Sequence, residues 1–364
     1  MYSPFRHISS IMIKERPIHL TFFITRRCNA KCPYCFYLRS DDDQIDSDQD
    51  LSLDEIRKIS LSFGELLWLA FSGGEIYLRD DLPEISRIFY KNNRPAIMLF
   101  PTNGLLPDRI RGMTRQILQD CPNSTVAVKL SLDGIDESHD RLRNTPGSFS
   151  KTMETYQQLK NLLDAFPNFE LGVNTVFCSD NQDRMDEIID FVSSMDGIKT
   201  HTISLIRGNL SDRNFKNIDQ QKYQHAIKRL EQNLKHRGSA KKYRFRGARI
   251  KAAQDILQRN LISRTNAAQK RLIPCYAGAI NVVLEETGEV FPCESLKRSL
   301  GNVRDHGYDI QKVLSSDRAK AILNSIKDNQ CYCTHECFFM TNILFNPRLY
   351  PALAREYLQI KQRS

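Results

Sequence analysis

Cys28, Cys32 and Cys35 stand at CxxxCxxC spacing on one short stretch of chain. Three thiolates held that closely can ligate three irons of a cubane iron–sulfur cluster and leave the fourth iron open to another molecule. A structural zinc site ordinarily takes four protein ligands in paired form. Three unrelated buried thiols are the other reading. A second group, Cys275, Cys293, Cys331, Cys333 and Cys337, lies near the C-terminus. Cys275 and Cys293 flank Gly288, with twelve residues before that glycine and four after it. Four of these five thiolates would satisfy a second cluster or a zinc ion equally well. Cys121 and Cys178 are left over and read as small buried hydrophobes. Eight of ten cysteines in two groups, within 364 residues, argue for metal-bound thiolates in a reducing cytoplasm over a secreted disulfide framework.

Short apolar runs at 19–24, 66–71, 96–101, 125–131, 169–177 and 200–206 read as strands, with helix-like stretches between them. Six such units in series imply a parallel sheet with right-handed crossovers. After the first strand come the polar Asp41-Asp42-Asp43 and then Ser52-Leu53-Asp54-Glu55, a capping box opening a helix. Asp80-Asp81-Leu82-Pro83-Glu84 opens the next, with proline in its first turn. Ile227, Leu230 and Leu234 recur at helical spacing, so the 207–262 connection has a buried face. From Pro274 the pattern changes. Ile280 to Leu284, a turn around Gly288, and Val290-Phe291 read as a hairpin. In parallel barrels the chemistry sits on loops after the strands. The cysteine loop, Gly73-Gly74-Glu75, Thr102-Asn103-Gly104 and Ser131-Leu132-Asp133-Gly134 all fall there.

In that order these segments resemble the radical S-adenosylmethionine (SAM) superfamily, and within it members with a C-terminal SPASM or twitch domain, such as anaerobic sulfatase maturases and peptide-modifying maturases. The resemblance covers nearly the whole chain. It implies an α/β fold, a partial (β/α)6 barrel open on one side, with a small α+β auxiliary-cluster domain. The expected division is 1–210 for the barrel, 211–272 for a basic helical connection, 273–345 for the auxiliary domain and 346–364 for a helical tail. It also implies a 4Fe–4S cluster on Cys28, Cys32 and Cys35 whose open iron binds SAM. Reductive cleavage then yields a 5′-deoxyadenosyl radical that abstracts hydrogen from an unactivated C–H bond. Tyr34 would lie near the adenine, with loop packing as its alternative. Glu75 would accept from the SAM amino group, and Gly73 and Gly74 would let the backbone approach a ligand. Asn103 and Ser131 could hydrogen-bond polar groups of SAM. Arg143 would contact its carboxylate or ribose, the alternative being a surface charge. The C-x12-G-x4-C spacing matches the opening of SPASM and twitch domains. With five cysteines and no CxxC there, one auxiliary 4Fe–4S cluster is expected, on Cys275, Cys293, Cys333 and Cys337. Cys331 is the ligand to drop.

Other readings stay open on residues alone. Arg207, at the end of the last barrel strand, could bind an anionic substrate group or form a domain-interface salt bridge. His335 reads as a histidine beside the ligands. An auxiliary cluster could accept an electron in net oxidation or bind substrate through an open iron. Redox-neutral chemistry would need a hydrogen-atom donor, for which Cys178 is the candidate. The net charge is +9, and seventeen Lys or Arg against four Asp or Glu lie between Ser211 and Leu272, so the rest of the chain is net negative. That segment, including the block from Lys241 to Lys251, could meet an anionic small molecule, a sugar or lipid headgroup, a membrane surface or nucleic acid, or be a solvated face. For nucleic acid it is thin: Tyr243 and Phe245 are the block's aromatics. The substrate is expected to be a small molecule or a peptide, although a cluster loop starting at Cys28 leaves no room for an N-terminal leader-binding domain. The electron donor would be a flavodoxin or ferredoxin. No apolar run reaches membrane-spanning length, and Met1 to His7 lack the build of a signal peptide. A non-catalytic iron–sulfur or zinc scaffold would show no SAM cleavage.

Overall fold

The computed structural model describes residues 1–38, 49–236, 247–328 and 331–360. Asp41 to Asp43, and the part of the basic block from Lys241 to Arg246, lie outside them. The elements run β1 (His19–Phe23), α1 (Leu53–Ser62), β2 (Trp68–Ser72), α2 (Leu82–Asn93), β3 (Ile97–Thr102), α3 (Pro107–Asp120), β4 (Thr125–Ser131), α4 (Glu137–Leu142), α5 (Ser148–Lys160), β5 (Phe169–Phe177), α6 (Met185–Ser194) and β6 (Ile198–Leu205). Then follow α7 (Gln220–His236), α8 (Ala248–Ala268), β7 (Asn281–Leu284), β8 (Glu289–Phe291), β9 (Gly301–Asn302), α9 (Ile310–Ser315), α10 (Asp317–Asp328), α11 (Glu336–Leu344) and α12 (Tyr350–Gln359).

One sheet holds all nine strands in the order β6-β5-β4-β3-β2-β1-β7-β8-β9. β1 to β6 are parallel, each paired with its sequence neighbour. β6 and β1 do not pair, so this is the expected six-unit barrel, open on one side. The expected hairpin is there too, with Val283 opposite Phe291. Its attachment was not legible in the sequence. β7 adds in parallel to the free edge of β1, His19 beside Asn281 and Phe22 beside Leu284, so the hairpin prolongs the barrel sheet. A bare β1 edge would expose unpaired amides and carbonyls, and this pairing removes it.

Strands covered on both faces need apolar residues throughout, and all five residues of β1 are buried. The outer face packs on the helices through Leu20, Phe22, Phe71, Phe100 and Val128. The α1 capping box forms as read, with Ser52 N donating to Glu55 Oε2 (2.9 Å). Glu55 also binds Arg304 Nε at 2.8 Å, tying the barrel to the chain after β9. Ile227, Leu230 and Leu234 of α7 are buried, as their spacing required.

α8 departs from a solvated basic insert. Residues 252–258 are buried without a break, including Gln254, Asp255 and Gln258. A helix buried all round is central to its fold. α8 packs on α7, α11 and α12, and its Arg259 Nη2 donates to the His201 carbonyl of β6 (3.1 Å).

Candidate active site

The cysteine loop leaves the end of β1 and is fastened to the end of β2 by backbone. Gly74 N donates to Thr25 O and Glu75 N to Arg27 O, both at 2.8 Å. A Cβ at Gly73 would overlap the Thr25 carbonyl oxygen, and one at Gly74 that of Arg27. Gly73 also sits at φ +132°, outside the range L side chains adopt readily. The close approach these glycines permit is therefore to the cysteine loop itself.

Glu75 turns inward beneath that fastening and is buried. Its carboxylate accepts from Thr102 Oγ1 (2.9 Å), Asn103 N (2.7 Å) and Tyr77 N (3.2 Å). Burial outweighs those donors and pushes it up to about 7. Asn103 places Nδ2 2.8 Å from Asn29 Oδ1 and 3.9 Å from Cys28 Sγ, which joins the end of β3 to the cysteine loop.

The opposite side is organised by Asp133, to which its motif alone assigns no role. It is fully buried and accepts from Tyr34 OH (2.6 Å), Arg143 Nε (2.9 Å) and Val176 N (2.7 Å). One carboxylate thus holds the cysteine loop, the segment after α4 and the end of β5 together. Its position just after β4 was the available signal, because a buried carboxylate at a strand end needs donors from its neighbours. Arg143 is buried rather than a surface charge, and only its Nε is engaged by protein among the described residues. Tyr34 is fixed by its hydroxyl and packs on Phe215, with ring centroids 5.8 Å apart. Ser131 and Tyr34 face a chamber of about 820 Å³ inside the barrel.

These residues fit a cluster with SAM. Cys28 and Cys32 are thiols that burial makes hard to ionise, Cys28 up to about 12, and Arg143 works in the other direction at Cys32. Iron would hold them as thiolates. Glu75, disfavoured as an anion in isolation, suits a site that receives a cationic amino group. Arg143 keeps terminal nitrogens for a carboxylate.

The second thiol group divides differently from expectation. Cys275, Cys293, Cys331 and Cys333 surround one small cavity of about 120 Å³. Burial raises Cys275, Cys293 (to about 11) and Cys333 (to about 12), and Cys331 adds to the effect at Cys275 and Cys293. Cys337, in the first turn of α11, lines the large chamber instead. The geometry therefore groups Cys331, expected to be the spare, with the others and sets Cys337 apart. Four thiols around one cavity remain a donor set that suits a cluster.

Between the two sites lies a buried ion network. Glu294 accepts from Arg207 Nη2 (3.1 Å) and lies 2.7 Å from His335 Nε2, while Arg207 Nη1 is 3.6 Å from Glu336. Burial opposes the charge on Glu294, yet His335 and Arg207 hold it down to about 2. Arg207 also covers the Phe36 ring at 4.8 Å. The interface alternative accounts for these contacts, since both carboxylates come from the C-terminal part. His335 caps α11 by accepting from Cys337 N (3.1 Å). Cys178 is fully buried among Tyr34, Leu142, Leu210 and Phe215 and does not itself line the chamber. All ten cysteines are free thiols. Among the described residues, no helix is long and apolar enough to cross a membrane.

Comparison with known proteins gives the same picture. The radical SAM superfamily profile matches residues 22–192, and that of SPASM, an iron–sulfur cluster-binding domain, matches 275–338. The bacteriocin subtilosin biosynthesis protein AlbA of Bacillus subtilis is 27% identical over 80% of this chain, which spans 59% of AlbA's length. An AdoMet-dependent heme synthase of Methanosarcina barkeri is 23% identical over 82% of each chain. The solved structure of anSMEcpe with bound AdoMet and a peptide shares the fold, with a TM-score of 0.58 at 19% identity over 95% of this chain and all of that one. The two profiles together take in more than half of the sequence, and this chain belongs to the radical SAM superfamily, as an enzyme with a C-terminal SPASM iron–sulfur domain.

Proposed function

We propose that the enzyme oxidises a peptide segment, or another small acid, held in the barrel chamber between its two thiol sites. One observation carries this reading: Tyr34 and Phe36 of the first cysteine loop line the same chamber as Cys337, Glu294 and His335 beside the second. When bound, a cluster on Cys28, Cys32 and Cys35 with SAM supplies a radical that takes hydrogen from a C–H bond, and a second cluster supplies a one-electron acceptor.

The chain's own residues position and enclose. Glu75 and Arg143 take the amino and carboxylate ends of SAM, the first with its remaining acceptor capacity and the second with its terminal nitrogens. Asn103 and Ser131 meet its other polar groups from the ends of β3 and β4. Asp133 keeps Arg143 and Tyr34 in place. Cys275, Cys293, Cys331 and Cys333 hold the auxiliary cluster. The Glu294–His335–Arg207 network fixes the C-terminal part against the end of β6.

A peptide is supported by AlbA's part in making a bacteriocin and by the peptide in the anSMEcpe structure. The match to a heme synthase over most of both chains favours a second reading, a tetrapyrrole substrate. The test is anaerobic reconstitution, iron quantification and reduction with dithionite in the presence of SAM. We expect about eight irons, falling to about four in the Cys28→Ala/Cys32→Ala/Cys35→Ala variant, and formation of 5′-deoxyadenosine by the parent. Parent protein that yields none refutes the catalytic reading, and a parent with only four irons refutes the auxiliary cluster.

A further inference from the structure

Below the strand ends the chamber carries charge that the radical chemistry does not use. Lys129 of β4 points inward, crosses β5 at Gly172 and donates to the hydroxyls of Thr200 and Thr202 on β6, the latter at 3.4 Å. The crossing is built for it. A Cβ at Gly172 would lie 2.7 Å from Lys129 Nζ and overlap Thr200 Oγ1. Opposite, the buried helix α8 turns Lys251, Asp255 and Arg259 into the same space. Lys251 and Asp255 pair with each other. Arg259 spends Nη2 on the His201 carbonyl, and its Nη1 is buried with no partner among the described residues.

Lys129, Lys251 and Arg259 face two carboxylates, Asp255 and Glu170, across this part of the chamber. Neither Lys129 nor Arg259 is in an ion pair among the described residues. Proteins seldom bury an unpaired donor or cation without a partner to meet it. We infer that the chamber floor is an oxyanion site, in which Lys129 and Arg259, with the Thr200 and Thr202 hydroxyls, hold a carboxylate or phosphate of the substrate. Each hydroxyl accepts from Lys129 and keeps its own proton to donate.

Position gives the site its use. Lys129 stands two residues below Ser131 on β4, about 7 Å at the rise of a strand. An acidic group anchored there leaves the adjoining part of the substrate reaching up toward the strand ends. The anion site stands on its own geometry, and only this consequence rests on the proposed radical reading.

The test needs neither cluster nor SAM turnover. The purified enzyme is titrated by calorimetry with glutarate, with inorganic phosphate and with uncharged glutaramide at constant ionic strength. We expect one of the two anions to bind and glutaramide not to; which anion binds separates a carboxylate from a phosphate substrate. Lys129→Met and Arg259→Met should each weaken binding by about tenfold or more, the worth of a charge-assisted hydrogen bond. Thr200→Val keeps both cations and should cost several-fold, which preserves the test if a methionine variant fails to fold. Failure of both anions to bind at millimolar concentration overturns the proposal. So does binding that all three variants retain. SAM cleavage by the parent is a separate readout, so either reading can fall without the other.

Discussion

Burying Lys129 has a thermodynamic consequence with a definite sign. Burial lowers its ammonium from the ordinary 10.5 to about 7, with Asp255 and Glu170 pulling upward and Lys251 and Arg259 pushing further down. Each tenfold change in proton affinity is worth about 1.4 kcal/mol, so the strain at neutral pH is on the order of 5 kcal/mol, an upper figure where water enters the chamber. Between pH 7 and 10.5 the unfolded chain keeps a proton that folded Lys129 has released. Stability from this group is therefore complete above pH 10.5, is lost as pH falls through that window, and is flat below about 7. Lys129→Met removes the group. The variant should be the more stable protein at pH 7 by up to a few kcal/mol, with the gap closing toward pH 10. The assay is equilibrium denaturation of both proteins across that range. Taking the difference cancels the other lysines and the tyrosines. A variant less stable at pH 7, or a gap that does not change with pH, refutes the account of Lys129 as an uncompensated cation.

Asp133→Asn leaves Arg143 buried without its charge partner and should cost about 3–5 kcal/mol in denaturation, with Asp133→Asn/Arg143→Met recovering part of it; a loss below about 1 kcal/mol would contradict the tie. Gly74→Ala drives a methyl group into the Arg27 carbonyl. It should lower the iron bound at the first site while leaving about four irons at the second, measured by iron analysis and absorbance. Cys331→Ala should lose about four irons and Cys337→Ala should keep about eight, with the reverse pattern restoring the ligand set expected from sequence. With the iron retained, Arg143→Lys should weaken SAM binding by about tenfold, since an ammonium cannot offer a fork of donors.

What could be read in advance was whatever repeats or stands in contiguous motif. The six barrel strands came from apolar runs because a parallel strand buried on both faces must be apolar along its length. The cysteine loop and its companions were visible because each occupies one strand end. The charge of the 211–272 segment was also legible, but its direction was not. Lys251 and Arg259 look like exposed helix charges, and only their neighbours Ala252, Ala253 and Ile256, buried around the helix, turn them inward. Asp133 was equally opaque, since its three donors come from residues far apart in sequence.

The same limit explains the second thiol group. Spacing can count five cysteines but cannot say which way the first turn of α11 aims Cys337. His335 fixes that turn by capping it, and Glu294 and Arg207 fix His335. Arg207 follows β6, the strand that Arg259 of α8 reaches at the His201 carbonyl, so the auxiliary site is oriented from the same open side of the barrel that admits α8. The opening is therefore structural as well as a way in. A closed barrel would offer β6 a strand partner and leave neither Lys251 nor Arg259 a route to the chamber. An open one lets a helix bring cations to meet Lys129 from across the sheet, and sets a donor-lined floor beneath both thiol sites.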